Sequence, residues 1–187
     1  RLSFRGRLRA ATASVSPNVV VSHGSALALH GLIRDPGPVH LTGESGTFRD
    51  HGSGRWENDA FNLKVIRHET RQLPPEHITE LDGIRATTAE RAIRDFAATA
   101  RPDEVTKALT QGEKERKLCW NELRAISDAS NGHKGIGILR SEIDDWDPVF
   151  ADTISDPEID FLRMIRRERM PKPLVNHRIG RHIPDFL

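Results

Sequence analysis

Apolar residues recur along this chain with two different periods, and the switches between them mark its elements. Residues 1–14 (RLSFRGRLRAATAS) alternate arginine with small and apolar residues in a way that fits a short helix. Val19–Ser22 is a β-branched run that predicts a strand. Ser22 or Ser25 then caps a short helix, SALALHGL, which Gly31 ends. Val39–Thr42 and Leu63–His68 read as strands, and the Gly-, Ser- and Asp-rich stretch between them, residues 43–60, predicts a long, mobile loop. Ile78–Leu81 and Gly83–Ala86 flank Asp82-Gly83, a strong hairpin signal. Thr87-Thr88-Ala89-Glu90 fits a capping box, after which Ala89, Ile93, Phe96 and Ala97 share one helical face. Further helices are expected from Pro102, with Val105, Ala108 and Leu109 as apolar positions, and over Trp120–Ile126. Asn131-Gly132 and Lys134-Gly135 mark a loop before a last apolar run, Ile136–Ile143.

From residue 155 the pattern changes. Ser155-Asp156-Pro157-Glu158 opens a helix whose Ile159, Leu162 and Ile165, joined by Phe161, form an apolar stripe. Val175–Ile179 and His182–Leu187 read as two strands about a Gly180-Arg181 turn. Pro184 interrupts the second strand, where proline deletes a ladder donor, and Asp185 sits beside it. A local rule broken in this way points to function. The class expected is α+β. A mixed helix/strand body spans residues 1–150, and a helix–hairpin unit over 151–187 reads as the first half of a restriction-endonuclease-like fold.

Composition alters this picture less than the distribution of charge does. A chain of 187 residues suits one medium domain or two small ones and buries a real core. The balance of 28 basic against 27 acidic residues excludes a global attraction to nucleic acid or membrane. The single cysteine, Cys119, excludes an internal disulfide and makes the cytoplasm the expected location. Its neighbours Leu118 and Trp120 predict a buried thiol. No apolar run approaches the roughly eighteen residues of a membrane span and no signal peptide opens the chain, so no membrane partner is expected. The first residue is Arg1 rather than methionine and the last falls within a strand, so both ends are expected to be cuts from a longer protein.

The neutral total conceals blocks. Arg1, Arg5, Arg7 and Arg9 crowd the start, and acidic residues from Glu142 to Asp160 outweigh Arg140. Directly after come Arg163, Arg166, Arg167, Arg169, Lys172, Arg178 and Arg181 against Glu168 alone. Such a run is either a solvated face or one half of a phosphodiester site, in which cations hold backbone phosphates and acids hold a metal. Glu158 is explained fully by a capping box with Ser155, but with Asp185 it also supplies the carboxylate pair that a Mg²⁺-dependent nuclease needs. His177 and His182 face one another across a turn without a third ligand, which suits phosphate or solvent better than zinc. His23 and His30 lie seven apart on one face of a helix, and half-buried packing accounts for both. Glu115-Arg116-Lys117 belongs to a charged helical run with a solvated face, and no phosphate loop, nucleophile signature or CxxC is present.

Two sets of motifs resemble known families. Ser155-x-x-Glu158-x-x-Phe161-Leu162, Pro171-x-Pro173-x-x-Asn176 and Asp185-Phe186-Leu187 resemble the start of a Vsr-like endonuclease domain of the PD-(D/E)xK superfamily. Upstream, Ser22-His23-x-Ser25-Ala26-Leu27-Ala28-Leu29-His30-Gly31-Leu32, Val39-His40-Leu41-Thr42, Leu73-Pro74-Pro75 and Gly83-Ile84-x-Ala86-Thr87-Thr88-x-x-Arg91 resemble AbiEi-type antitoxins of actinobacterial kind. The resemblance implies a DNA-associated antitoxin or transcriptional regulator of an abortive-infection, type IV toxin–antitoxin system in phage defence. DNA and a nucleotidyltransferase-type toxin are its implied partners. The alternative it implies is a Mg²⁺-dependent endonuclease with Glu158 and Asp185 as catalytic metal ligands. In either case Arg163, Arg166, Arg167, Arg169, Arg178 and Arg181 are the implied nucleic-acid contacts, and Mg²⁺ is called for only by the nuclease. The winged helix that usually opens such antitoxins has no room before Val19, and the third strand of the nuclease fold, with its Glu-x-Lys, falls beyond Leu187.

Overall fold

Short polar side chains start two helices of this protein, at Ser3 and Thr88, and proline starts a third, at Pro102. In a computed structural model, Ser3 caps α1 (Phe4–Val15) by accepting from the Gly6 N–H at 3.2 Å. Leu8 and Ala11, three apart on that helix, are fully buried. The structure describes residues 2–35, 37–48, 54–58, 63–144, 161, 164–165, 168 and 170–171. A two-residue strand β1 (Val20–Val21) leads straight into α2 (His23–His30), and the Ser22 N–H between them donates to the His40 carbonyl at 3.0 Å. Gly31 then stops α2 with φ +80°, the left-handed conformation that glycine adopts without a Cβ penalty, and the Leu32 N–H donates to the Leu27 carbonyl at 2.9 Å.

Among the described residues, six strands form one mixed sheet in the order β3-β4-β2-β1-β6-β5. Its members are β1, β2 (Val39–Glu44), β3 (Gly54–Asn58), β4 (Leu63–Thr70), β5 (Ile78–Leu81) and β6 (Ile84–Thr87). β2–β4 and β1–β6 are parallel pairs, and the other neighbours are antiparallel. The Asp82-Gly83 hairpin forms as the sequence predicts: both residues have positive φ, +52° and +72°, the pair required by a two-residue type I′ turn. Arg5 closes on the Asp82 carboxylate at 2.7 Å, tying α1 to that turn.

Four helices follow β6 among the described residues. Thr88 caps α3 (Ala89–Phe96), accepting from the Arg91 N–H at 3.4 Å. Pro102 occupies the first turn of α4 (Pro102–Lys114), where the Glu104 carboxylate accepts from the Arg101 N–H at 2.8 Å. Then come α5 (Trp120–Ala129) and α6 (Ile136–Asp144). Leu8 and Leu27, the strand residues Leu41 and Val65, and the helix residues Ile93, Leu109, Leu123 and Leu139 are all fully buried within one apolar core. This is an α+β fold, as expected.

Three local expectations need correction. Residues 43–60 are not one loop: β2 continues to Glu44, and β3 pairs with β4 from Gly54↔Arg67 to Asn58↔Leu63. The cap of α3 lies one residue later than the capping box suggests, because Thr87 is already paired with Ile78 in the sheet. Glu90 is thereby released, and its carboxylate accepts from the Cys119 N–H at 2.8 Å. Cys119 itself is exposed rather than buried, since the turn between α4 and α5 carries it outward.

Candidate functional site

The parallel register of β2 and β4 creates the site. It aligns His40 with Ile66 and Thr42 with His68, so the two histidines stand on one face of the sheet, two positions apart. His23 reaches the same place from the start of α2, where its backbone takes φ +51°, a region rare for residues with a Cβ. The His23 and His68 rings stack with centroids 3.7 Å apart, and the His40 ring lies 5.2 Å from that of His68. His40 Nδ1 and His68 Nε2 are 3.0 Å apart, so one must donate and the other accept.

Hydroxyl groups surround the cluster. Thr42 Oγ1 donates to Ser22 Oγ at 2.7 Å, and Ser22 Oγ lies 3.0 Å from His23 Nδ1. Ser25 Oγ accepts from the His40 N–H at 2.9 Å. Burial is the main cause holding all three imidazoles below their ordinary pKa: His40 falls to about 4, His68 is lowered, and His23 is pushed well down. The neighbouring histidines add to the effect on His23 and His40. The cluster is therefore neutral at pH 7, with each ring offering one N–H and one lone pair.

Beside it runs a cationic wall supplied by α3. Arg91 Nε sits 3.0 Å from both oxygens of Asp95, with both side chains 3% exposed. Arg94 also bonds Asp95 and donates from Nε to Ser130 Oγ at 3.0 Å. Burial lowers the Arg94 pKa, and Asp95 opposes that shift. Arg91 Nη1 lies 3.3 Å from His77 Nδ1. The two arginines separate a cavity of about 240 Å³, bordered by His23, Thr42, His68 and Asp95, from one of about 540 Å³, bordered by Arg71, Pro74, His77 and Ser130. An aspartate shared between two arginines leaves net positive charge facing both cavities, which suits an anionic or strongly hydrogen-bonding ligand.

The sequence draws attention elsewhere. Glu158, Asp185, Arg163, Arg166, Arg167, Arg169, Arg178, Arg181, His177 and His182 all lie outside the described residues. Of that unit, Phe161 and Met164–Ile165 are helical; Ile165 is buried, and Phe161 is exposed. His23 belongs to the three-histidine cluster rather than merely packing a helix, while His30 Nε2 donates to the Thr87 carbonyl at 2.9 Å. The available signal was weak: a histidine at a polar position in each of two predicted strands, and a third at a strand–helix junction. No family model and no curated protein matches the chain. No helix among the described residues is long and apolar enough to cross a membrane.

Proposed function

We propose that this chain is a DNA-associated antitoxin or transcriptional regulator of the AbiEi type, working in the cytoplasm, whose α+β body receives a partner protein. One observation carries the reading. Motifs scattered from Ser22 to Arg91 contribute their polar residues to one place: Ser22, His23 and Ser25 from the first, His40 and Thr42 from the second, Arg91 from the last. Pro74 of the Leu-Pro-Pro motif borders the adjoining cavity with Arg91 and Arg94. A body whose dispersed motifs converge on a built polar site, flanked by arginines, is suited to bind an acidic segment of a partner such as a nucleotidyltransferase-type toxin. DNA contact is assigned to the basic block from Arg163 to Arg181.

Fluorescence anisotropy with duplex DNA across a salt series tests the DNA half. Binding should weaken steeply with salt, and changing Arg166 and Arg167 to Ala should reduce the log–log slope by about one or two units. Gel filtration with a nucleotidyltransferase-type toxin tests the partner half, and Arg94→Glu should dissolve the complex. Absence of both DNA binding and complex formation refutes the proposal. Mg²⁺-dependent cleavage in the DNA assay, abolished by Asp185→Ala, would move the protein to the endonuclease class instead.

A further inference from the structure

Hydrogen bonding alone does not require three imidazoles to converge. We propose that His23, His40 and His68 form a binding site for one divalent transition-metal ion of the zinc class. The proposal stands whether or not the chain is an antitoxin.

The geometry supports it in four ways. First, each ring presents one nitrogen such that all three lie within 4.8 Å of one another. Nitrogen ligands about 2.0–2.1 Å from a tetrahedral zinc sit roughly 3.3 Å apart. The His40 Nδ1 to His68 Nε2 separation of 3.0 Å therefore needs to open only slightly, and the remaining separations, within 4.8 Å, need to close by up to about 1.5 Å. Second, the mounting is rigid. Two ligands come from adjacent parallel strands, and the third is held by a left-handed backbone conformation at a buried position. Such backbone outliers persist where the surrounding structure enforces them, and they cluster at functional sites. Third, Ser22 Oγ is positioned to accept from His23 Nδ1–H, which leaves Nε2 for the ion, and Thr42 Oγ1 fixes that serine in turn. This is the outer hydrogen bonding that orients ligating histidines. Fourth, the cavity of about 240 Å³ borders His23 and His68, leaving a fourth coordination position for water or an anionic group drawn by Arg91 and Arg94. Asp95 lines the same cavity and holds both arginines in place beside it.

Imidazole donors select Zn²⁺, Co²⁺ or Ni²⁺ over Mg²⁺ and Ca²⁺, which demand oxygen ligands. The ion is thus chemically distinct from the Mg²⁺ that a nuclease would use at Glu158 and Asp185.

The test uses the whole chain, stripped with EDTA and titrated with Zn²⁺ and Co²⁺. One ion per chain should bind, and the Co²⁺ form should show the intense visible absorption of four-coordinate cobalt. X-ray absorption on the zinc form should count three imidazole ligands. His40→Gln and His68→Gln should each weaken binding by about 100-fold or more, Ser22→Ala by about tenfold, while His177→Gln with His182→Gln changes nothing. Circular dichroism of the metal-free variants separates loss of ligand from loss of fold. Should His40→Gln and His68→Gln fail to fold, the absorption spectra of the unaltered protein still decide. No one-to-one binding, fewer than three imidazoles around zinc, or loss of binding on changing His177 and His182 overturns the proposal.

Discussion

Replacing Asp95 with alanine should be among the most damaging single changes in the body, and the reason is Arg91. Arg91 is a cation with a side chain 3% exposed, and its Nε bonds both oxygens of Asp95 at 3.0 Å. Removing the carboxylate leaves that charge buried, with the His77 ring nitrogen 3.3 Å from Arg91 Nη1. Arg94 suffers less: its side chain is 14% exposed and it keeps the Ser130 hydroxyl. Breaking a buried pair from one side costs about 3–5 kcal/mol, against a total stability of roughly 5–15 kcal/mol for a domain of this kind. Urea unfolding followed by circular dichroism should therefore show Asp95→Ala losing about a third or more of the folding free energy with little change in m. The double variant Arg91→Met, Asp95→Leu removes both charges and should recover much of that loss, and with the Arg91→Met and Asp95→Leu single variants the mutant cycle should give a coupling of about 2–3 kcal/mol. A loss below about 1 kcal/mol for Asp95→Ala would mean that solvent screens the pair, and the burial argument would fail.

Gly135 has φ +80°, and a Cβ there would come 2.1 Å from the Ala97 carbonyl oxygen, so Gly135→Ala should lower stability by on the order of 3 kcal/mol in the same urea assay; a neutral result would sink this reading of the contact. His30 has a folded pKa lowered chiefly by burial, so the unfolded chain binds the extra proton: its contribution is intact above about pH 6.5 and is lost as pH falls toward the folded value. His30→Gln should make the stability–pH curve between pH 7 and 5 shallower by at most about 1.4 kcal/mol per unit, and an unchanged curve would contradict the assignment. Cys119 is exposed, so a thiol reagent should label the native protein at nearly the rate seen in urea, and strong protection would restore the buried-thiol expectation.

Local chemistry was legible where it acts locally. Gly31, Pro102 and Asp82-Gly83 each impose a backbone conformation on their immediate neighbours, and all three act where the sequence places them. The apolar positions of the helices are equally plain, because Ala89 and Ile93, or Val105, Ala108 and Leu109, declare a buried face within a few residues. What failed were the features that depend on a distant partner. Strand β3 (GRWEN) has no apolar alternation to announce it, and its ladder with β4 is what makes it a strand. Thr87 and Thr88 are equally good caps by chemistry; pairing between β5 and β6 takes Thr87 for the sheet and leaves Thr88 to the helix. Cys119 is flanked by apolar residues, yet the turn out of α4 sets its exposure. The histidine cluster is the extreme case. His40 and His68 stand 28 residues apart, with no spacing rule to link them, and they meet because parallel pairing of β2 with β4 is a choice made by the whole sheet. Local sequence dictated which residues were polar and where the elements turned; only the packed sheet decided that three of those polar residues share one site.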